Sequence, residues 1–327
     1  MELGLSMSPV RASVVLLTYN QEAFVQEALQ SLLDQDYDDL EIVVSDDASK
    51  DGTWQVIQQI FAKYTGPKRV VLNRNERNLG IVGNYFEAFS VTTGDVIFTA
   101  AGDDVSLPNR CSACIKTWID AGRCVDLIAA DGYDMLLTGE MAGLKETDEL
   151  SQWTFERWAQ KRPFMFGASH MMTRRLLMLR TLDPRLPVED HNLVARALLM
   201  GGAQRLALPL VKHRRGGLSQ LKNKFNYQEK RLKLINSATE SLLERAEILN
   251  DAAMLGLQVE HYLQAQLELG SYILSIFQKK NFILNLQIFV HFSNVPFWKR
   301  FRFFQLAVFP RLNAYVMELK ISRKEKK

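Results

Sequence analysis

The sequence predicts an α/β chain, a mostly parallel sheet flanked by helices and followed by a helical C-terminal extension. Three observations carry this. Over the first 130 residues, short β-branched apolar runs alternate with stretches of helical period, the pattern of a parallel sheet with helices on both faces. Polar clusters stand at the ends of those runs, where ligands gather in such sheets. From about Asn223 the β-rich runs stop and long helical patterns take over.

Taken in order, Ala12 to Thr18 is the first strand. Val25, Ala28, Leu29, Leu32 and Leu33 then recur at the spacing of one amphipathic helix face, with Asn20 as the expected N-cap. Leu40 to Ser45 is the second strand. It leads through DDASKDGT into Val56, Ile57, Ile60 and Phe61, with Thr53 as the expected cap. Arg69 to Leu72, Asp95 to Thr99 and Val125 to Ala130 are further strand-like runs, and Arg205 to Val211 is a later one. Beyond Asn223, Leu232, Ile235, Leu242, Leu243 and Ile248, then Leu263, Leu267, Ile273, Leu274 and Phe277, mark helical faces. A boundary is drawn near Leu221, giving domains 1–220 and 221–327.

The chain has 327 residues, and at 47% hydrophobic and 24% charged it has a globular composition, which excludes disordered and fibrous classes. The net charge of +3 is local: from His291 to Lys327 there are nine Lys or Arg against Glu318 and Glu325. No nucleic-acid partner is expected from so small a balance. The stretch from Asn281 to Trp298 carries no formal charge, but Asn281, Asn285, Gln287, His291, Ser293, Asn294 and Pro296 interrupt it, so no spanning helix is expected. FWKRFRFFQLAVFPRL, from Phe297 to Leu312, interleaves aromatics with Lys299, Arg300, Arg302 and Arg311. That is the composition of a helix in a membrane interface; the alternative is a packed helix with a solvated basic face.

Cys111, Cys114 and Cys124 are too few for a disulfide framework and fit a reducing compartment. The Cys-x-x-Cys lies in an apolar helical pattern and reads as core. The N-terminus lacks a positive region ahead of a long apolar one, so the expected location is cytoplasmic, with peripheral contact on the cytoplasmic face of a membrane.

The strand ends carry the chemistry. Thr18, Tyr19 and Asn20 follow the first strand, Asp46 and Asp47 the second, and Asp103 and Asp104 the run ending at Thr99. Adjacent carboxylates need a cation, and hard oxygens suit Mg²⁺ or Mn²⁺. Such a site implies a nucleotide or another phosphorylated ligand.

Four stretches, in order, resemble family 2 of the glycosyltransferases, the inverting nucleotide-sugar enzymes of the GT-A fold that build polysaccharides. They are SVVLLTYNQEAFVQEALQSLLDQDYDDLEIVVSDDASKDGT (Ser13 to Thr53), NLGIVGNYFEAF (Asn78 to Phe89), GDVIFTAAGDDVSLPNR (Gly94 to Arg110) and VEDHNLVARALLMGG (Val188 to Gly202). The resemblance implies that Thr18, Tyr19 and Glu22 line a nucleotide pocket and that Asp46, with Asp47, accepts hydrogen bonds from base or ribose. It brings Arg77 and the Asn78 to Gly80 turn to the nucleotide. Asp103 matches the last acidic residue of the family's Asp-x-Asp metal motif and Asp104 extends it, while Ala101 stands where many relatives have the first Asp. Asp190 is the implied general base, with His191 beside it as an alternative and a plain N-cap role as another.

The stretch from Arg162 to Leu177 resembles the family's acceptor-side loop, with Gly167 allowing close backbone approach and Trp153 and Trp158 just upstream. KHRRGGLS, from Lys212 to Ser219, offers His213, Arg214 and Arg215 to a diphosphate. The implied partners are a nucleotide-sugar donor and a saccharide or lipid-linked acceptor. Two other readings compete: a catalytically silent sugar-nucleotide-binding scaffold subunit, kept open by Ala101, and a nucleotidyltransferase, which lacks a Gly-rich, Lys-containing phosphate loop after the first strand.

Overall fold

The computed structural model describes residues 10–215, 227–279, 281–310 and 312–315. Backbone contacts divide the chain into Met1–Gln220 and Leu221–Lys327. The boundary itself, near Leu221, lies outside the described residues.

In the first unit, β1 (Ala12–Thr18), β2 (Leu40–Asp46) and β3 (Arg69–Arg74) alternate with α1 (Val25–Leu33), α2 (Thr53–Lys63) and α3 (Gly80–Ser90), and β4 (Val96–Ala101) follows. These four strands are parallel, with β1 between β2 and β4: Thr18 pairs with Asp46, and Leu17 with Ala101. One face of β1, β2 and β4 (Val14, Leu16, Ile42, Val44, Phe98) packs with Ala28, Leu29 and Leu32 of α1 and Ile57 of α2. The opposite face (Val15, Val43, Ile97) is buried as well. Burial on both faces explains why these strands read as continuous apolar runs.

The remaining strands are uneven in length and mixed in direction. They are β5 (Val105–Ser106), β6 (Leu127–Met135), β7 (Met141–Lys145), β8 (His170–Thr173) and β9 (Ala203–Arg214), with α4 (Arg110–Asp120), α5 (Phe155–Gln160), α6 (Arg174–Met178) and α7 (Asp190–Leu199) between them. The order across the sheet is β3-β2-β1-β4-β8-β6-β9-β5, with β7 on β6. β8 runs antiparallel to both β4 and β6, while β9 runs parallel to β6.

The structure corrects two local expectations. Asn20 is not the α1 cap: it sits in the left-handed region (φ 53°), and its side-chain oxygen accepts from the Lys50 amide at 2.8 Å. Thr53 is the first residue of α2, and its hydroxyl oxygen accepts from the Gln21 amide at 2.7 Å, tying the loop after β1 to the second helix. Trp153 and Trp158 are both buried. Cys111 and Cys114 are buried on α4, as their helical pattern implied.

The second unit holds α8 (Tyr227–Met254), α9 (Glu260–Gln278), α10 (Phe282–His291) and α11 (Phe297–Val308). Its core joins Ala238, Tyr272, Ile273, Ile276, Phe277 and Val295. The Tyr272 hydroxyl donates to the Arg300 carbonyl at 2.8 Å, pinning α11 to α9. Among the described residues no helix is long and apolar enough to cross a membrane.

Candidate active site

The parallel register brings the ends of β1, β2 and β4 to one rim. Gly102 makes the junction tight: a Cβ there would lie 2.4 Å from the Gln21 side-chain oxygen and 2.8 Å from Thr18 Cγ2. Across that rim the acidic residues differ in how their oxygens are used.

Asp46 is fully buried. Its oxygens accept from the Ser49 hydroxyl at 2.5 Å, the Ser49 amide at 3.1 Å and the Thr18 hydroxyl at 3.3 Å, and its Oδ2 pairs with Arg74 Nε at 3.3 Å. Asp47 accepts from Asn75 Nδ2 at 2.9 Å, from the Leu79 amide at 2.8 Å and from the Gly80 amide at 3.0 Å. It therefore holds the start of α3, where Gly80 adopts φ +77°. Glu22 accepts from the Gly52 amide at 2.8 Å, an approach that a Cβ on Gly52 would block at 2.5 Å. Tyr19 is half-buried on the rim, and Arg77 is exposed in the turn before α3 with no hydrogen bond or ion pair among the described residues.

Asp103 and Asp104 follow β4. The Asp104 carboxylate accepts from the Arg214 amide at 2.8 Å; burial and the neighbouring Asp103 push it up to about 7. Burial also raises Asp103, whose side chain receives no hydrogen bond from another described residue. The Arg214 guanidinium is committed elsewhere: Nε donates to the Asp103 carbonyl at 2.9 Å, Nη2 to Glu27 at 2.6 Å, and the group covers the Phe24 ring at 4.6 Å. Arg215 pairs with Asp134 at 2.6 Å. The Gly-Gly turn and Ser219 of that loop lie outside the described residues.

Asp190 opens α7, with Glu189 as the N-cap residue making no side-chain cap bond. Its Oδ1 accepts from the His191 amide at 2.6 Å. Gly167 faces it directly, since a Cβ there would stand 3.3 Å from Asp190 Cβ and 3.5 Å from Oδ2. The acceptor-side loop and the implied base thus come together.

Beneath them are two buried titratable groups. Glu189 is buried and pushed up to about 7 by burial and by Asp190, and its Oε2 has no hydrogen-bond partner. His170, also buried, is pushed down to about 4 by burial, and its Nε2 is unpartnered. Arg110 bridges the two sides of the site: its Nη2 donates to the Thr99 carbonyl at 2.8 Å and the His170 carbonyl at 3.3 Å. An arginine opening an apolar helix pattern carried no sequence signal of that role.

A mostly parallel rim of acidic strand ends, completed by a mixed half that carries a carboxylate at a helix start, is the GT-A arrangement of nucleotide-sugar enzymes. The family model for glycosyl transferase family 2 matches residues 13–177, about half the chain, and the chain belongs to that family. It is similar to a protein named putative glycosyltransferase EpsE of Bacillus subtilis, 36% identical over 100 residues, which covers 31% of this chain and 35% of that protein. It is also similar to the abequosyltransferase RfbV of Salmonella typhimurium, 32% identical over 111 residues, 33% of this chain and 32% of that protein. A third relative is the GalNAc(5)-diNAcBac-PP-undecaprenol beta-1,3-glucosyltransferase of Campylobacter jejuni, 31% identical over 152 residues, 44% and 47% of the two chains. The chain therefore spans less than half the length of each of these curated relatives.

Among solved structures, S. aureus TarS 1-349 in complex with UDP-GlcNAc superposes with a TM-score of 0.54 at 18% identity, over 90% of this chain and 89% of that one. The mannosyltransferase PcManGT of Pyrobaculum calidifontis, in complex with GDP-Man and Mn²⁺, gives 0.52 at 15% identity, over 92% and 85%. At these identities the likeness shows the fold.

Proposed function

We propose that this chain is an inverting glycosyltransferase that moves a sugar from a nucleotide-diphosphate donor to a saccharide or lipid-linked acceptor in cell-surface polysaccharide synthesis. The observation that carries it is Asp103: on a rim where Asp46, Asp47 and Asp104 all accept hydrogen bonds from other residues, its half-buried carboxylate accepts none from another described residue. The names of the relatives, which include an abequosyltransferase and a glucosyltransferase with a PP-undecaprenol acceptor, support the reaction class.

No group of three or more His, Cys, Asp or Glu side chains converges on a metal position among the described residues. That fits Mg²⁺ or Mn²⁺ held by one or two carboxylates, with water and substrate phosphates filling the other positions. Asp103 and Asp104 would hold such an ion, which when bound supplies charge to offset that on the leaving diphosphate. The chain's own residues do the rest. Thr18, Tyr19, Glu22, Asp46, Arg77 and Gly80 line the nucleotide side, and Asp47 fixes the α3 end against it. Asp190 takes the proton of the acceptor hydroxyl as that oxygen bonds to the anomeric carbon and the carbon–oxygen bond to the diphosphate breaks. Attack from the side opposite the leaving group inverts the anomeric centre.

Thermal shift with UDP or GDP, each with and without Mn²⁺, tests the reading. A ligand at ~100 times its Kd stabilises by roughly 2.7 kcal/mol, and Asp103→Asn should abolish the metal-dependent part of that gain while leaving the unliganded melt near wild type. An undiminished gain in the variant overturns the metal assignment. Ala101 favours a second reading, a silent nucleotide-sugar module; such a module would show no metal-dependent donor hydrolysis in the absence of acceptor.

We also propose peripheral membrane contact through the second unit. Trp298 is 77% exposed and Ile283 65%, with Phe297, Phe301, Val290 and Tyr315 exposed as well, beside Lys299 and Arg302. Aromatics and cations in one segment suit an anionic interface. In liposome co-sedimentation, Trp298→Ser with Phe301→Ser should weaken binding to anionic vesicles, and equal partitioning of variant and wild type overturns the contact. Residues 316–327 of the basic tail lie outside the described residues.

A further inference from the structure

We infer that Lys145 is a fixed cation for the donor's diphosphate, standing on β7 beside the Asp103–Asp104 rim; the inference rests on the proposal that this rim receives that diphosphate. The register builds the position. Gly132 on β6 pairs with Lys145 on one side and Val211 on the other, and Asp134 pairs with His213. Residues two apart on a strand share a face, so Lys145, Asp134 and His213 project together. The neighbouring Arg214 amide binds Asp104, which places this cluster next to the acidic pair, and the Lys145 charge acts on Asp104.

The lysine is held in place and shares its counter-ion, Asp134, with Arg215. Its side chain is only 13% exposed. It stands 4.7 Å above the Phe166 ring, which also meets His213 edge to face at 5.5 Å. Phe166 reaches this position because residue 132 is glycine: a Cβ there would lie 2.7 Å from Phe166 Cζ and 2.5 Å from the Val211 carbonyl oxygen. Lys145 Nζ lies 3.0 Å from His213 Nδ1. Burial and the Lys145 charge push His213 down to about 4, so the ring is neutral at physiological pH. Nδ1 then accepts from Lys145, and the contact assigns the ring proton to Nε2, a second N–H in the same cluster.

Asp134 is a divided counter-ion: its Oδ2 takes Arg215 at 2.6 Å, and its Oδ1 pairs with Lys145 at the longer distance of 3.6 Å and lies 3.9 Å from His213. An ammonium has three donors, and this one has a single neutral acceptor within hydrogen-bond distance among the described residues. A half-buried cation in that state favours an anion, and phosphate oxygens are the anions expected at this rim. In the transfer step the glycosidic bond breaks and its electron pair leaves on the diphosphate oxygen, where a fixed positive charge stabilises the product.

Inorganic pyrophosphate is the probe, titrated calorimetrically into the full-length protein in metal-free buffer and again with Mn²⁺. Lys145→Met should weaken binding about tenfold or more in both buffers, as expected for loss of a charge-assisted contact, while Lys145→Arg retains more affinity than Met. A role confined to packing predicts a lower melting temperature with pyrophosphate affinity within about twofold of wild type, and that result overturns the assignment. Should the Met variant fold poorly, Lys145→Gln keeps a hydrogen-bond donor, removes the charge and gives the same reading. Failure of the unaltered chain to bind pyrophosphate with Mn²⁺ overturns the diphosphate rim and the lysine's role together. Binding by wild type with an unchanged Met or Gln variant overturns the lysine alone.

Discussion

At the site, several polar groups of the parallel side and of the mixed side of the sheet are used differently. On the parallel side, Asp46, Asp47, Glu22 and Thr53 are bonded to the protein's own amides and side chains, so that part of the rim is built before any ligand arrives, while Asp103 beside it is left open. On the mixed side, Glu189, His170 and His191 each leave a buried ring or carboxylate atom without a partner, and Lys145 keeps open donors. Buried polar atoms are nearly always satisfied in proteins, and exceptions concentrate where water or substrate completes the bonding. The difference teaches that around Asp46 and Asp47 the site is preformed, while around Asp190 and Lys145 its bonding is left to be finished.

Three substitutions test that contrast. The largest effect is expected at Asp190, where Asn keeps the shape and removes the basic oxygen: transfer should fall by about 10² to 10⁴, while nucleotide and metal still stabilise the variant as they do wild type. A rate within a few-fold of wild type at saturating donor eliminates Asp190 as the base and moves the search to Glu189 and His191.

The second is Asp47→Ala, which strips three hydrogen bonds and uncaps α3. It should lower the free energy of unfolding by about 1–3 kcal/mol, measured by urea denaturation. A change below a few tenths would mean that the preformed face does not depend on this anchor.

The third is a pH effect on the unfinished face. Glu189 rises from an ordinary 4.5 to about 7 through burial and the charge of Asp190. A carboxyl raised on folding contributes stability below its unfolded pKa and loses that contribution as pH climbs through its folded one. Between roughly pH 5 and pH 8 wild type should therefore lose on the order of 2 kcal/mol from this group, and Glu189→Gln should lose less. Asp104 has the same sign, so the slope is reduced rather than abolished. Parallel pH profiles for the two proteins would contradict the assignment.

The same contrast explains what was legible beforehand. β1, β2 and β4 are buried on both faces, so each is written as an apolar run, and the acidic residues that end them could be placed on one rim from the sequence alone. β5 has two residues, β8 four, and β7 is MAGLK with four of its five residues exposed. None can carry a period-2 signal. Lys145 acquires meaning only from its register against Gly132, and Arg110 only from carbonyls of two separate strands. The expected caps failed for a related reason: Asn20 and Thr53 bond to the neighbouring strand–helix loop rather than to their own helix. The two tryptophans lie close to the site in sequence, but the apolar core takes both.

The insertion of β8 between β4 and β6 also bears on how the molecule folds. Pairing of β1 with β2 and of β2 with β3 joins near neighbours in the chain, such as Ala12 with Leu40 and Glu41 with Arg69, whereas β4 is reached only by distant pairings, Ala12 with Val96 on one edge and Phe98 with Met171 on the other. Closure entropy grows with loop length, and nonlocal pairing slows folding. A nascent chain that has reached β4 can assemble the parallel core yet still carries a bare edge there, the kind of surface that recruits other strands into aggregates. Until residues 170–173 arrive to cover it, the growing chain is most exposed to misassembly along β4, and shortening the 102–169 connection would narrow that interval.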